Sequence, residues 1–370
     1  MDAWSITCKS LRAICKKWKG IGEKYFFQSM RCTSPENKDW ESLADRLGRR
    51  PDGSFGVGKF VLRLVLKATN DSSTKLKHML HIVQGCPNVV SLFVSAKDVF
   101  DNLRLHGADI ASACLLTPAR HLQRLDLDFS PWFDESIVIS LLRHCPNLEI
   151  LNVGSSFGHS EEGFIIESTD MSKLHTLTLT SCSKNWLTHF DSNAWGLTNL
   201  RHLSLFRIGG VDNVIGFFDV VGSQLKSFHF DTPSVEIDYI IQKCTGLEEI
   251  IISLRSYLMS AVNYAPFGHN NVTRIGIRDS DGTSAALLSL EEVESSLEEM
   301  ASWFTTQWSF PKLISVRLMD VNARKFAVML KDGDRRDIWK EFIFALAEAG
   351  VTLEDEDGVK LPGDSRLIDI

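Results

Sequence analysis

Apolar residues return along this chain in a fixed triplet of the form L-x-x-L-x-L. The triplets start at Val61, Val89, Leu122, Leu148, Leu174, Leu200, Leu225, Leu247, Val272 and Leu313, at steps of 28, 33, 26, 26, 26, 25, 22, 25 and 41 residues. One triplet carries little information; the regular interval carries a great deal, because a repeat of this length fixes an architecture before any single residue is interpreted. The L-x-L end of each triplet alternates and predicts a short strand. Between triplets the period changes to that of a helix. Val214, Phe217, Phe218 and Val221 sit at i, i+3, i+4 and i+7 before Gly222, and Ile237, Ile240, Ile241 and Cys244 repeat the spacing. Ile137, Leu141 and Cys145 fall one turn apart behind Asp134, a predicted N-cap.

The predicted unit is therefore a strand, a turn and a helix. Its strand buries the second and third triplet residues together, and its helix returns over them. Neither element buries its apolar face alone, so the units must stack into one continuous core. The long final step holds an extra predicted helix on Leu290, Val293, Leu297, Met300 and Phe304, expected as an elongated convex segment. Ile338, Phe342, Leu346 and Ala349, closed by Gly350, predict one more helix before a terminal half-repeat at Val351 and Leu353.

Residues 61–318 resemble leucine-rich repeats of the long irregular kind. The family pattern continues to Asn or Cys three residues after the last leucine, and Leu174 to Cys182 completes it. Ser156, Ile208 and Pro233 hold the equivalent place elsewhere, so a regular ladder of buried asparagine is not expected. The resemblance implies an α/β leucine-rich-repeat solenoid, a curved parallel sheet with convex helices, behind a short helical N-terminal segment.

Composition adds a compartment. The 370 residues carry a net charge of −7 and an ordinary globular balance of apolar and charged residues. No apolar run approaches the length of a membrane span, and the start Met1-Asp2-Ala3-Trp4 does not resemble a signal peptide. The eight cysteines form no C-x-x-C pair. Cys86, Cys145 and Cys244 each stand three residues before a triplet and are expected as small buried hydrophobes in a reducing compartment, cytoplasmic or nuclear.

Charge is uneven. Residues 1–31 hold seven Lys or Arg against two acids, net +5, which leaves −12 for the remainder. In this segment Leu11, Ile14, Cys15, Trp18 and Ile21 follow helical spacing, and Tyr25-Phe26-Phe27 comes next. The run resembles the second half of an F-box. The family's first half, opening with Leu-Pro, has no counterpart here, the first proline being Pro35, as expected of a truncated or shortened box. The resemblance implies that Leu11, Ile14, Cys15, Trp18 and Ile21 dock on a Skp-type adaptor, while the repeats hold the substrate of a cullin–RING ubiquitin ligase. The basic segment also suits a cap on the first repeat, or an acidic lipid or calmodulin-like partner. The expected organisation is a partial F-box-like segment over 1–31, a linker over 32–58, repeats over 59–330, and a capping half-repeat with an acidic tail over 331–370. Trp40, Leu43 and Leu47 suggest one short helix within that linker.

Four motifs invite a chemical reading. Gly154-Ser-Ser156-Phe-Gly158 matches G-x-S-x-G after a predicted strand, which would make Ser156 a nucleophile with His159 or a later histidine as its base. The turn after a repeat strand favours Gly and Ser for backbone reasons alone. Gly53 to Lys59 matches G-x4-G-K, but Phe60 stands where a hydroxyl should hold magnesium, and a strand follows instead of a helix. His78 and His81 lie one helical turn apart with no third ligand spaced to join them. Leu353 to Asp364 lacks the first ligand of a calcium loop and reads as an acidic turn. No metal, cofactor or catalytic group is expected.

A partner is expected on the concave face, at the outward strand positions two, four and six after each triplet start. The substrate-facing set is Phe93, Arg124, Asp126, Asn152, His202, Phe206, His229, Glu249, Arg274 and Arg317, with Ile251 and Arg278 beside it. Its mixed signs and the acidic total argue against nucleic acid. The expected function is protein recognition, as substrate receptor of an SCF-type ubiquitin ligase. The alternatives are a repeat scaffold with no ubiquitin role and a serine hydrolase using Ser156.

Overall fold

The computed structural model of the chain describes residues 27–33, 37–47, 56–67, 73–96, 119–129, 141–154, 170–180, 195–206, 215–230, 237–253, 268–278, 290–305, 309–319 and 333–361. Two compact units divide the chain, residues 1–200 and 201–370.

Among the described residues of the first unit are six strands: β1 (Ser29–Cys32), β2 (Arg63–Lys67), β3 (Ser91–Ala96), β4 (Arg124–Phe129), β5 (Ile150–Gly154) and β6 (Thr176–Thr180). They lie side by side in chain order, and each pair is parallel. Helix α1 (Asn37–Leu47) follows β1, and α2 (Ser73–Gln84) follows β2 and packs against α1. In the second unit β7 (His202–Phe206), β8 (Ser227–Phe230), β9 (Glu249–Ser253), β10 (Arg274–Arg278), β11 (Ser315–Leu318) and β12 (Thr352–Glu354) are again parallel and in chain order. Among its described residues are the helices α3 (Ile215–Val221), α4 (Ile237–Lys243), α5 (Leu290–Thr305) and α6 (Gly333–Glu348), with α5 packed on α6. The fold is α/β, with a solenoid-like parallel sheet in each unit.

The triplets account for this arrangement residue by residue. β2 to β11 each begin two residues after a triplet start. Every triplet side chain is buried except Val94 and Leu313, which are half-buried. The backbone repeats the same joint at each coil. The carbonyl of the residue just before a strand accepts two N–H groups from the next coil: Leu62 from Val90 and Ser91, Gln123 from Glu149 and Ile150, Glu248 from Thr273 and Arg274. Parallel strands that exchange bonds at one fixed offset keep a single register, so every apolar triplet lands on the triplet before it.

The turn before each strand is also shared. The N–H of the first triplet residue donates to the carbonyl three residues back, as in Val89 to Cys86, Leu148 to Cys145 and Leu247 to Cys244. The three cysteines are buried and free, and burial pushes each thiol up to about 12. They behave as small apolar plugs. His269 stands in this place before Val272, and its Nε2 lies 3.0 Å from the Cys244 carbonyl of the preceding coil.

A second bracket joins the coils at the residue just before the triplet. Asn88 donates from Nδ2 to the Lys59 carbonyl at 2.8 Å, Asn147 to Arg120 at 2.6 Å, and Asn199 to Ser172. In the second unit Asn271 donates to Thr245 at 2.9 Å. Each asparagine thus satisfies a turn carbonyl that the parallel ladder leaves open. Lys173 and Lys312 then donate to the side-chain oxygens of Asn147 and Asn271 at 2.6 and 2.9 Å.

Three details differ from the sequence reading. Phe27, Met30 and Cys32 form a further triplet, with Phe27 and Cys32 buried, and their strand β1 pairs with β2. In the stretch expected as a linker, α1 buries Trp40 and Leu47 completely, and Val57–Phe60 form a 3-10 turn packed against it. On α6 the buried stripe is Trp339, Phe342 and Leu346, while Ala349 is exposed beyond the helix end. That end is a Schellman cap. Gly350 takes φ +75°, its N–H donates to Ala347, and Val351 N–H donates to Leu346 at 2.8 Å. The expected helix over Leu290–Thr305 forms, burying Leu297, Met300 and Phe304 together with Ala301 and Trp303.

Candidate functional site

Alternate residues of the strands point away from the core and line up in rows across each sheet. In the first unit one row runs Arg31, Val65, Phe93, Asp126, Asn152 and Thr178. Phe93 is half-buried, with Lys67 Nζ 5.1 Å from its ring centroid, a cation–π contact. Arg124, Asp126 and Asn152 come together. Arg124 donates twice to Asp126, from Nε at 2.8 Å and from Nη2 at 3.2 Å, and Asn152 Nδ2 donates to the same carboxylate. Asp126 is buried as a result, so this acid organises its neighbours and is not free to meet a partner. Arg124 is the exposed member, and the hydrogen bond to Asp126 raises its pKa above the ordinary arginine value. One row further along, Ser95 donates to Asp128 at 3.2 Å.

In the second unit the rows are more deeply covered. Ser204, His229, Ile251, Gly276, Arg317 and Glu354 are partners across the sheet. Arg317 donates to Glu354 from Nε and Nη2 at 3.1 and 2.9 Å. In the neighbouring row Glu249 accepts from Ser227 at 2.9 Å and pairs with Arg274 at 3.5 Å. Glu249 and Arg274 are thus matched to each other and Arg317 to Glu354, while His202 is exposed in the row of Glu249 and Arg274. Ile251 is buried although it points to the open side of the sheet.

Phe206 and His229 are in contact. Their rings meet edge to face, 84° apart, with centroids 4.2 Å from each other. The Arg278 guanidinium carbon lies over the Phe206 ring, 5.9 Å from its centroid. Burial, and then the positive charge of Arg278, hold the His229 pKa down at about 3, so its imidazole is neutral at physiological pH.

That depression carries a pH signature. An unfolded imidazole takes up its proton near 6.5, whereas the folded one stays neutral down to about 3. Stability from keeping His229 neutral is complete above pH 6.5 and declines as pH falls from there toward 3, by about 1.4 kcal/mol per pH unit. We expect His229→Gln to flatten this acid-side slope in urea unfolding at pH 6.5 and 5. An unchanged slope would mean that His229 is not the titrating group.

The sequence placed all ten face residues on strands. It missed Ser253, which is 2% exposed, although the signal was available: Ser253 stands six residues after Leu247, the same offset that marks Phe206 and Arg278. Leu11, Ile14, Cys15, Trp18, Ile21, Ser156 and His159 lie outside the described residues. Among the described residues no group of three or more His, Cys, Asp or Glu side chains is placed to hold a metal ion, and no helix is long and apolar enough to cross a membrane. His78 is half-buried and His81 exposed on α2. In comparisons with protein-family models and with curated protein sequences, nothing matches this chain.

Proposed function

We propose that this chain is a leucine-rich-repeat recognition protein that serves as the substrate receptor of an SCF-type ubiquitin ligase in the cytoplasm or nucleus. The repeats hold a protein substrate, and the N-terminal residues Leu11, Ile14, Cys15, Trp18 and Ile21 hold a Skp-type adaptor. It performs no chemistry of its own. The observation that supports recognition is the two-sided strand. In each unit consecutive parallel strands bury alternate residues in the core and array the others in rows, with Phe93 over Lys67, Arg124 over Asp126, and Phe206 beside His229. A sheet face built from many short, similar strands offers a broad surface with aromatic and arginine anchors, the residue types that dominate protein interfaces. The adaptor part rests on the sequence resemblance of residues 11–27 to half an F-box.

Co-expression with a Skp-type adaptor tests the proposal. The full chain is expected to co-purify with the adaptor, and Trp18→Ala and Leu11→Asp are each expected to abolish this while leaving the melting temperature unchanged. A chain that never retains the adaptor, yet still binds a protein through its sheet face, is a scaffold outside ubiquitin transfer.

A further inference from the structure

On the open side of the second unit Nε2 of His229 and Oγ of Ser253 are buried with no hydrogen-bond partner, as is Nε of Arg274. His229 and Ser253 are 3% and 2% exposed. Buried polar groups are nearly always paired, and an unpaired one lowers stability for as long as it stays so. Elsewhere on this face Ser227 donates to Glu249 and Arg317 to Glu354, as the rule demands. Two exceptions side by side therefore call for an explanation.

They are neighbours in the sheet. His229 on β8 is opposite Ile251 on β9, and Ser253, two residues further along β9, is opposite Arg278 on β10. Residues two apart on a strand share a face, so His229 and Ser253 are diagonal partners and Arg278 is directly beside Ser253. Phe206 closes the group, touching His229 with its ring and lying under Arg278. A neutral imidazole and a guanidinium thus meet one aromatic ring, and the Ser253 hydroxyl is beside both in the sheet.

We propose that Phe206, His229, Ser253 and Arg278 form a subsite for a carboxylate carried by a bound protein chain. This rests on the recognition reading and adds what is recognised. The serine hydroxyl and the Nε2–H tautomer of the imidazole are two donors, which matches two carboxylate oxygens. The field of Arg278 favours an anion and repels a lysine or arginine from the partner. A phosphate would bring more oxygens than these two donors serve. Binding supplies the missing acceptors, so a group that weakens the free protein strengthens the complex.

The test uses the full chain labelled at histidine, with the His229 ring signal assigned by its loss in His229→Gln. Three small probes are titrated: N-acetylglutamate α-amide, N-acetylglycine and N-acetylglutamine α-amide. The glutamate probe is expected to shift the His229 signal saturably, half-saturating at about 10 mM for so small a ligand. Ser253→Ala and Arg278→Gln should each weaken it about tenfold. Response to N-acetylglycine alone would assign the carboxylate to a chain terminus instead of an acidic side chain. An equal response to the glutamine probe, no response to any probe, or undiminished binding in both variants overturns the proposal. Ser253→Ala should also melt no lower than the parent, because it removes an unmatched hydroxyl; a lower melting temperature counts against the site. The adaptor experiment does not involve these residues, so failure of the subsite and failure of the ubiquitin-ligase reading are separately visible.

Discussion

Gly58→Ala is expected to destabilise the first unit by about 3 kcal/mol. Gly58 lies in the 3-10 turn Val57–Phe60, buried, three residues before a triplet, and its carbonyl accepts the Val61 N–H at 3.0 Å. A Cβ on this residue would stand 1.9 Å from the Gly85 carbonyl oxygen, 2.7 Å from its carbon and 2.9 Å from the Leu47 carbonyl oxygen. All three are backbone atoms, so no rotamer change relieves the clash. Relief requires the turn to withdraw from the end of α1, where Leu47 is fully buried, or from Gly85, which ends α2 through its own bond to His81. Either movement opens the joint between the first two coils. Urea unfolding should show the loss, and the melting temperature should fall by about 6–12 °C for a unit of this size. A variant within 0.5 kcal/mol of the parent, roughly the scatter of surface changes, would mean that the turn is not pinned there.

Phe228→Ala is expected to cost about 3–5 kcal/mol in the second unit. Phe228 is the middle residue of its triplet on β8 and is 1% exposed. Its ring meets Phe218 of α3 at 5.4 Å and 68°, and Phe230 at 5.2 Å, while Phe218 in turn meets Phe217 at 5.4 Å and 86°. The cluster joins the strand to its own helix, so truncation leaves a cavity walled by large rings that cannot collapse without leaving their edge-to-face geometry. Phe228→Leu, which keeps most of the volume, should cost less than half as much. In native-state hydrogen exchange the protection lost should concentrate in residues 215–253, because stacked coils depend on their nearest neighbours. Equal losses for the leucine and alanine variants would show that volume at this position is not what matters.

The core was legible because leucine leaves little room for another interpretation. Leu174, Leu177 and Leu179 are each 0% exposed, as their spacing demanded. β1 escaped notice because Phe27, Met30 and Cys32 spell the same pattern in residues that also suit a loop or a helix. At the far end the stacking positions opposite Leu313, Val316 and Leu318 are Gly350, Leu353 and Asp355, so one leucine alone represents the motif. The asparagine bracket was visible as a column one residue before the triplets, yet its meaning lies in a carbonyl some 26 residues earlier, which only the stacked coils bring within reach. The face was half legible. Alternation shows which side chains point outward, but not which are already engaged. Asp126 looked available and is held by Arg124 and Asn152; His229 looked solvated and is buried against Phe206. Those outcomes depend on rows that cross several strands, and one strand's sequence does not contain them.

β12 leaves little of itself open to a stranger. Its three residues pair with β11 on one side. On the other, the chain doubles back: Leu361 donates to the Leu353 carbonyl at 2.8 Å, Glu354 bridges Lys360 in antiparallel sense, and Asp355 draws in the N–H groups of Asp357 and Val359 at 3.0 and 2.8 Å. Bare sheet borders invite foreign strands to add on, and short or charged ones discourage it. Here a carboxylate stands where a stacking leucine would have welcomed a further layer, so this rim gives crowded copies of the protein little to grow upon.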